Sequence, residues 1–358
     1  MKTIMELAAE VQRQSDAKKD YVADTSLLNL EPAHYDEETK KFGGTQLVMQ
    51  NGKRVEFEVN ELFHQQLGDK YRIPNAFYDE QLKDDPELIC HVVNRIMHRE
   101  SEQRMIRTLD GKARAFLSRK YRPLDSQDML EAVMPALAEM KMEVKSAEIT
   151  EKRLYLKAIF TNLQADVVPG DAVQGGIVIS NSEVGAGSFK VEPFTWRLVC
   201  KNGLISEHAL RKYHVGRARG GDEEDTVYEL LGDEARSADD RALFLKVRDL
   251  VKYSVKPEIF ATQVDRFREA TTLKITGNIP VVVEVIRKKF GFGQEQGASI
   301  LRHLIEGGDL SQWGAVNAVT RSAQDLVNNY DAETWTERAG GKILELSKND
   351  WQKIATAN

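Results

Sequence analysis

The chain has 358 residues, 41% hydrophobic and 30% charged, which is enough apolar material for about two domains with buried cores. Basic residues number 50 and acidic ones 56, a net charge of −6 that excludes a uniformly basic nucleic-acid coat but not a local basic face. Two cysteines, Cys90 and Cys200, exclude a disulfide framework or a thiolate zinc site. The first residues lack a signal-peptide core, and no apolar run reaches the ~18 residues of a membrane span, so a reduced, soluble, cytoplasmic protein without a membrane partner is expected.

Residues 1–42 read as a short helix, on the spacing of Ile4, Leu7, Ala8 and Val11, followed by an acidic, loosely structured arm. Two β-rich runs, 45–49 and 54–59, flank Asn51-Gly52, a strong hairpin signal. Asn60 caps a helix carrying Leu62, Phe63 and Leu67, and Asp85-Pro86 opens another. Asp110-Gly111 joins strands over 104–109 and 113–117. A helix follows over 125–140, capped by Asp125 or Ser126, and strands are predicted near 143–149, 153–161, 175–181 and 187–200. Gly185-Ala186-Gly187-Ser188 has strands on both sides, so it reads as a hairpin turn; a phosphate-cradling glycine loop must lead from a strand into a helix. Asn202-Gly203 reads as a second turn, with Arg197 on a strand and Lys201 at its end.

From Thr226 the spacing is helical almost to the C-terminus, broken near Gly277–Pro280, Gly291–Gly293 and Gly307–Asp309. The fold class expected is therefore α+β: antiparallel β-hairpins with packed helices, followed by a mostly helical C-terminal region. The divisions fall at 1–42, 43–219 and 220–358, with the Gly-containing charged stretch 217–225 as a linker.

Charge is sorted along the chain. Arg95 to Arg122 holds nine basic residues and three acids, net +6. Lys190 to Arg219 nets +5, whereas Asp222 to Asp240 holds nine acids and one base, net −8. Phosphate binding needs local positive charge, and bases stack on aromatic rings, so the two cationic segments are candidates for single-stranded nucleic acid. Arg104, Arg107, Arg114, Arg119, Lys120 and Arg122 are the candidate phosphate contacts, with Arg197, Lys201, Arg211 and Lys212 as a second wall and Tyr121 and Tyr213 as stacking rings. The competing reading is a solvated outer sheet face above buried aromatics, in which Arg119–Arg122 forms a plain strand-to-helix connection anchored by Tyr121. Phe116, between Ala115 and Leu117, already looks buried.

Catalytic patterns are sparse. Neither His-Glu-x-x-His, paired Cys-x-x-Cys nor Gly-x-Ser-x-Gly occurs, and Cys200 sits in an apolar strand, so no catalytic residue, metal or cofactor is assigned. Trp313, Val316 and Val319 have core spacing, while Asn317 and Thr320 suit a polar contact or backbone satisfaction.

Arg114-Ala115-Phe116-Leu117-Ser118 with Tyr121-Arg122, then Asn181-Ser182-Glu183-Val184-Gly185 with Gly187-Ser188, then Arg197-Leu198-Val199-Cys200-Lys201-Asn202-Gly203 and His214, occur in that order. Together they resemble a prokaryotic phage and plasmid family, domain of unknown function 932, from about Glu56 to His214. The stretch Trp313–Thr320 is similar to the tail of such phage proteins. This resemblance implies a mobile-element setting and carries no activity. In architecture, hairpins plus a helix with basic strands and a helical tail, the chain is also similar to phage single-strand annealing proteins. The function expected is an oligomeric, non-enzymatic protein that holds single-stranded DNA and assists annealing or recombination, self-associating into a ring or filament. The alternative is a phage or plasmid protein-interaction factor, anti-defence or regulatory, using the −8 stretch.

Overall fold

The computed structural model describes residues 3–38, 41–121, 124–206, 233–254 and 256–358. Helix α1 (Ile4–Ala17) starts with a capping box in which Thr3 and Glu6 satisfy each other's amides. Where a loose arm is expected, two strands follow: β1 (Lys19–Asp24) and β2 (Leu28–Asp36). Their own sequence is largely polar; pairing supplies what local propensity lacks, β1 with the distant β5 and β2 with the next strand, β3. The predicted hairpin forms as β3 (Lys41–Asn51) and β4 (Lys53–Val59), with Gly52 at φ +74° in the tight turn. Asn60 then accepts from the Phe63 amide at 2.9 Å and starts α2 (Glu61–Tyr71). After α3 (Asn75–Asp84), Asp85 caps α4 (Pro86–Arg99), with proline in the first turn. Asp110 and Gly111, both at positive φ, close the hairpin of β5 (Gln103–Leu109) and β6 (Lys112–Ser118).

These strands form a six-stranded sheet in the order β1-β5-β6-β4-β3-β2. All its pairings are antiparallel except β4 with β6, which run parallel because α2–α4 and β5 separate them in the chain. Helices α2–α4 supply Phe63, Leu67, Ile89, Val93 and Met97 to one face, against Leu28, Leu30, Leu47, Ile106 and Phe116.

Helix α5 (Ser126–Glu139) leads into a second, antiparallel sheet: β7 (Glu143–Ile149), β8 (Leu154–Asp166), β9 (Ala172–Asn181), β10 (Lys190–Arg197) and β11 (Asn202–Ile205). The Gly185–Ser188 stretch joins β9 to β10, a strand-to-strand connection as expected. Asn202-Gly203 lies inside β11 instead of forming a turn; the reversal sits just before it, and Lys201 takes φ +52°.

The remaining helices are α6 (Asp233–Ser254), α7 (Pro257–Thr272), α8 (Ile279–Phe290), α9 (Gln294–Gly307), α10 (Gln312–Ser322), α11 (Tyr330–Leu344) and α12 (Lys348–Ala355). The protein is thus α+β, with sheets toward the N-terminus and a helical C-terminal region. One continuous core joins the second sheet to that region: Leu156, Ile177 and Ile179 share it with Val133, Val251, Phe267, Trp313 and Trp351.

The other face of the second sheet joins a small apolar cluster of Ile159, Val178, Phe194 and Ile205 to a polar network. Lys157 on β8 meets Glu337 at 2.6 Å and Glu333 at 3.2 Å on α11, and its ammonium lies 4.5 Å from the centre of the Tyr330 ring. Tyr155 donates to Asp331 at 2.6 Å, and Arg338 pairs with Glu192 at 2.5 Å. Burial pushes the Glu337 carboxyl up to about 7, with Lys157 pulling the other way. Of the two roles open to Asn317 and Thr320, both occur: Asn202 donates to Thr320 at 2.6 Å, while Asn317 and Thr320 donate to the Trp313 and Val316 carbonyls at 2.9 and 3.0 Å. Trp313 is buried, as its spacing predicts. Among the described residues no helix is long and apolar enough to cross a membrane.

Candidate nucleic-acid interface

The two ordered signatures meet in space. Arg107, on β5, is 1% exposed and donates to Asp20 at 2.8 Å, to the Glu183 carbonyl at 2.8 Å and to Asp125 at 3.1 Å. Arg114, on β6, reaches the Glu183 carboxylate at 2.7 Å. That carboxylate also accepts from the Ser126 amide at the start of α5, and Lys18 binds Asp125 at 2.6 Å. Asn181 donates to the Leu124 carbonyl at 2.7 Å, Gln66 links the Phe116 amide to the Val184 carbonyl, and Arg153 donates to the Ala186 carbonyl. A lattice of ions and backbone thus ties the end of α1, the first sheet, the β9–β10 connection and the N-terminus of α5 together.

The electrostatics agree with this geometry. Burial alone would raise Asp125, but the Lys18 hydrogen bond and the Arg107 charge hold its carboxyl below the usual range. Burial likewise opposes ionisation of Glu183, and Arg114 with the Ser126 amide overcomes it. Asp125 occupies the cap position of α5 yet makes no side-chain cap bond, because its oxygens serve Lys18 and Arg107.

Arg107 and Arg114, expected to contact phosphate, therefore hold carboxylates inside the molecule. A phosphate would have to displace those buried partners, at several kcal/mol per ion left unpaired. Arg104 is also largely buried: its guanidinium lies 4.7 Å over the Phe116 ring and 3.8 Å from Glu102, and desolvation lowers its pKa. Tyr121, expected as a stacking ring, is half-buried beside Leu117 and Val184 and donates to the Ser182 carbonyl at 3.2 Å. It serves as the anchor of this connection.

Arg119 and Lys120 behave differently. Both are exposed in the turn that follows β6, where the Lys120 amide bonds Ser118 Oγ at 3.2 Å. The Lys70–Glu102 pair, 2.6 Å, and the register of Arg104 against Ser118 bring the ends of α2 and α4 to the same end of the sheet. Arg72 and Arg99 are exposed there. Arg99 pairs with Glu100 at 2.7 Å, while Arg72 and Arg119 make no ion pair among the described residues.

The second wall lies elsewhere. Arg197 pairs with Asp171 at 2.5 Å and donates to Cys200 Sγ at 3.1 Å, and Asp171 also accepts from Trp313 Nε1 at 2.9 Å. This pins the end of β10 to α10. Lys201 is exposed beside it, with its carbonyl bonded by Gln324. Lys190, opposite Ser180, starts β10 near the signature lattice, and Arg197 ends the strand. Seven steps of ~3.3 Å put the two ends about 23 Å apart. The two cationic segments therefore do not form one groove from these residues. Arg122, Arg211, Lys212 and Tyr213 lie outside the described residues, as does most of the acidic 222–240 stretch. Lys18, Asp20 and Asp125 complete the lattice without standing out in the sequence; the only sequence hint was Asp125 at a helix start.

Residues 115–248, about a third of the chain, match the family described as Domain of unknown function (DUF932). The match begins within β6 and takes in the whole second sheet and part of α6. No curated protein and no solved structure matches the chain.

Proposed function

We propose, for a chain that carries a DUF932 domain and so inherits no assigned activity, that its exposed cationic end binds the phosphate backbone of single-stranded nucleic acid. One observation carries this: of the six basic candidates between Arg104 and Arg122, the internal carboxylates and rings engage those on strands, and the turn bearing Arg119 and Lys120 faces solvent. The ion lattice behind it fixes that turn, so little ordering entropy opposes binding. Arg72 and Arg99 extend the positive surface; Glu100 and Glu102, paired with Arg99 and Lys70, moderate it. Without an aromatic platform among these residues, binding depends on charge and discriminates weakly between sequences. In its fullest form the proposal is an oligomer that holds single strands during annealing or recombination, in the cytoplasm of a bacterial host that carries a mobile element.

Fluorescence anisotropy of a labelled oligothymidylate, titrated across salt, tests the binding. We expect Arg119→Ala with Lys120→Ala to weaken binding and to flatten the logarithmic salt slope by about 1.4, at ~0.7 per lost contact. No binding at low salt, or an unchanged slope in the double variant, overturns the proposal.

A further inference from the structure

Near the end of α9, His303 and Glu306 are one helical turn apart and share a face of the helix. His303 is 8% exposed, and its two ring nitrogens face two different carboxylates. Nε2 lies 3.0 Å from Asp325 Oδ2, in the turn Ala323–Asp325 that follows α10. The same oxygen accepts from the Ser299 hydroxyl and, at 2.7 Å, from Arg302. An oxygen with those donors around it is an acceptor, so the ring proton belongs on Nε2 and Nδ1 keeps its lone pair. Nδ1 is buried and has no hydrogen-bond partner. Glu306 Oε2 faces it at 3.5 Å, on a side chain that is half exposed.

A lone pair and a carboxylate oxygen at that separation repel each other, and 3.5 Å is too long for a good hydrogen bond from a doubly protonated ring. The spacing suits a shared cation. Zinc binds imidazole nitrogen and carboxylate oxygen at about 2.0–2.2 Å, so two such ligand atoms at a tetrahedral angle stand about 3.4 Å apart. A carboxylate on the far nitrogen is also what holds a metal-binding imidazole in the required tautomer. Arg302 lies on that far side, 3.3 Å from Nε2, with its charge matched by Asp325. We infer that His303 Nδ1 and Glu306 form a binding site for a divalent transition metal of the zinc type, oriented by Asp325. Among the described residues no group of three or more metal-binding side chains occurs, so water completes the coordination on the solvent side of Glu306.

Isothermal titration calorimetry of the full chain, first stripped with a chelator and then titrated with zinc chloride, tests the site. Saturable binding is expected, weakened at least about tenfold in His303→Gln and in Glu306→Gln, since loss of an outer partner alone costs a metal site that much. Gln at 303 keeps a donor for Asp325, and Gln at 306 replaces a half-exposed group, so both variants should match the parent's urea midpoint without metal. His91→Gln, which removes an exposed imidazole on α4, should leave the affinity unchanged. Magnesium should bind far more weakly than zinc, because it prefers an all-oxygen shell. Excess zinc should raise the urea midpoint of the parent and not that of His303→Gln. No saturable zinc binding, parent affinity in His303→Gln or Glu306→Gln, an affinity that falls with His91→Gln instead, or equal binding of magnesium overturns the inference.

Discussion

Arg107 and Arg119 belong to one cationic segment, yet Arg107 is 1% exposed with three oxygen partners while Arg119 stands in solvent. The difference comes from where each lies on its element. Arg107 sits in the middle of β5, on the face that the β9–β10 connection covers, and Arg119 sits in the turn where β6 has ended. Cationic residues within a strand are drawn into the interior when a second layer brings carboxylates over that face. Arg119 and Lys120, in the turn that follows, stay exposed. Net charge along a segment therefore overstates the surface that phosphate can reach.

The largest expected effect breaks the buried half. Arg107→Ala leaves Asp20, Asp125 and the Glu183 carbonyl without their common donor, and should destabilise the fold by about 3–5 kcal/mol. Urea unfolding followed by circular dichroism measures this. A loss of less than about 1 kcal/mol would mean that the lattice is dispensable.

The polar network under α11 provides the second contrast. Lys157→Met removes the ammonium shared by Glu333 and Glu337, but Glu337 can take up a proton, so the expected loss is smaller, about 2–4 kcal/mol. Burial already holds the Glu337 carboxyl near 7, and losing Lys157 pushes it higher. The folded variant then binds a proton that the unfolded chain releases near pH 4.5, so its stability should fall as pH rises through neutrality. Urea midpoints at pH 6 and pH 8 check the sign; a higher midpoint at pH 8 would show that Glu337 stays ionised.

The signature lattice should respond to pH in the opposite direction. Asp125 and Glu183 are both depressed in the folded state, so between their folded and unfolded values the unfolded chain binds more protons. Their contribution is complete above the ordinary carboxylate range, near pH 4–4.5, and is lost as pH falls through the depressed values. In acid titrations the parent chain should lose stability more steeply below pH 4.5 than Glu183→Gln, which has already given up one of these groups.

Much of the fold was legible because it is encoded locally. Asn51-Gly52 and Asp110-Gly111 place two hairpins, and Asn60 and Asp85 start two helices, all through short-range geometry. Strands β1 and β2 were not legible, because their pairing partners, rather than their residues, make them strands. The same holds for the candidate site. Arg107 binds groups 87, 76 and 18 residues away, and no local pattern carries such a contact. The signatures could be seen as ordered motifs, but that they touch each other could not. Burial of Phe116 was visible in its apolar neighbours and holds at 2% exposure.

Gly185 makes a smaller test of that contact. It sits at φ +74°, and a β-carbon there would come within 2.7 Å of Leu117 Cδ2. Gly185→Ala pays both for the left-handed backbone, about 1–2 kcal/mol, and for moving the Leu117 side chain. A loss of about 1–3 kcal/mol in urea unfolding is expected; an unchanged midpoint would show that the β9–β10 connection is not held against β6.

The smallest expected effect on stability is the most informative about function. Arg119→Ala with Lys120→Ala removes two exposed charges from a turn whose shape is set by Ser118, Tyr121 and the lattice beneath. Surface charges of this kind contribute within about 0.5 kcal/mol, so the urea midpoint should barely move while the salt slope of oligonucleotide binding falls. Arg107→Ala should do the reverse at temperatures where it is still folded, keeping that slope while losing stability. If both variants lose stability alike, the turn is part of the scaffold and the division between buried and exposed cations fails.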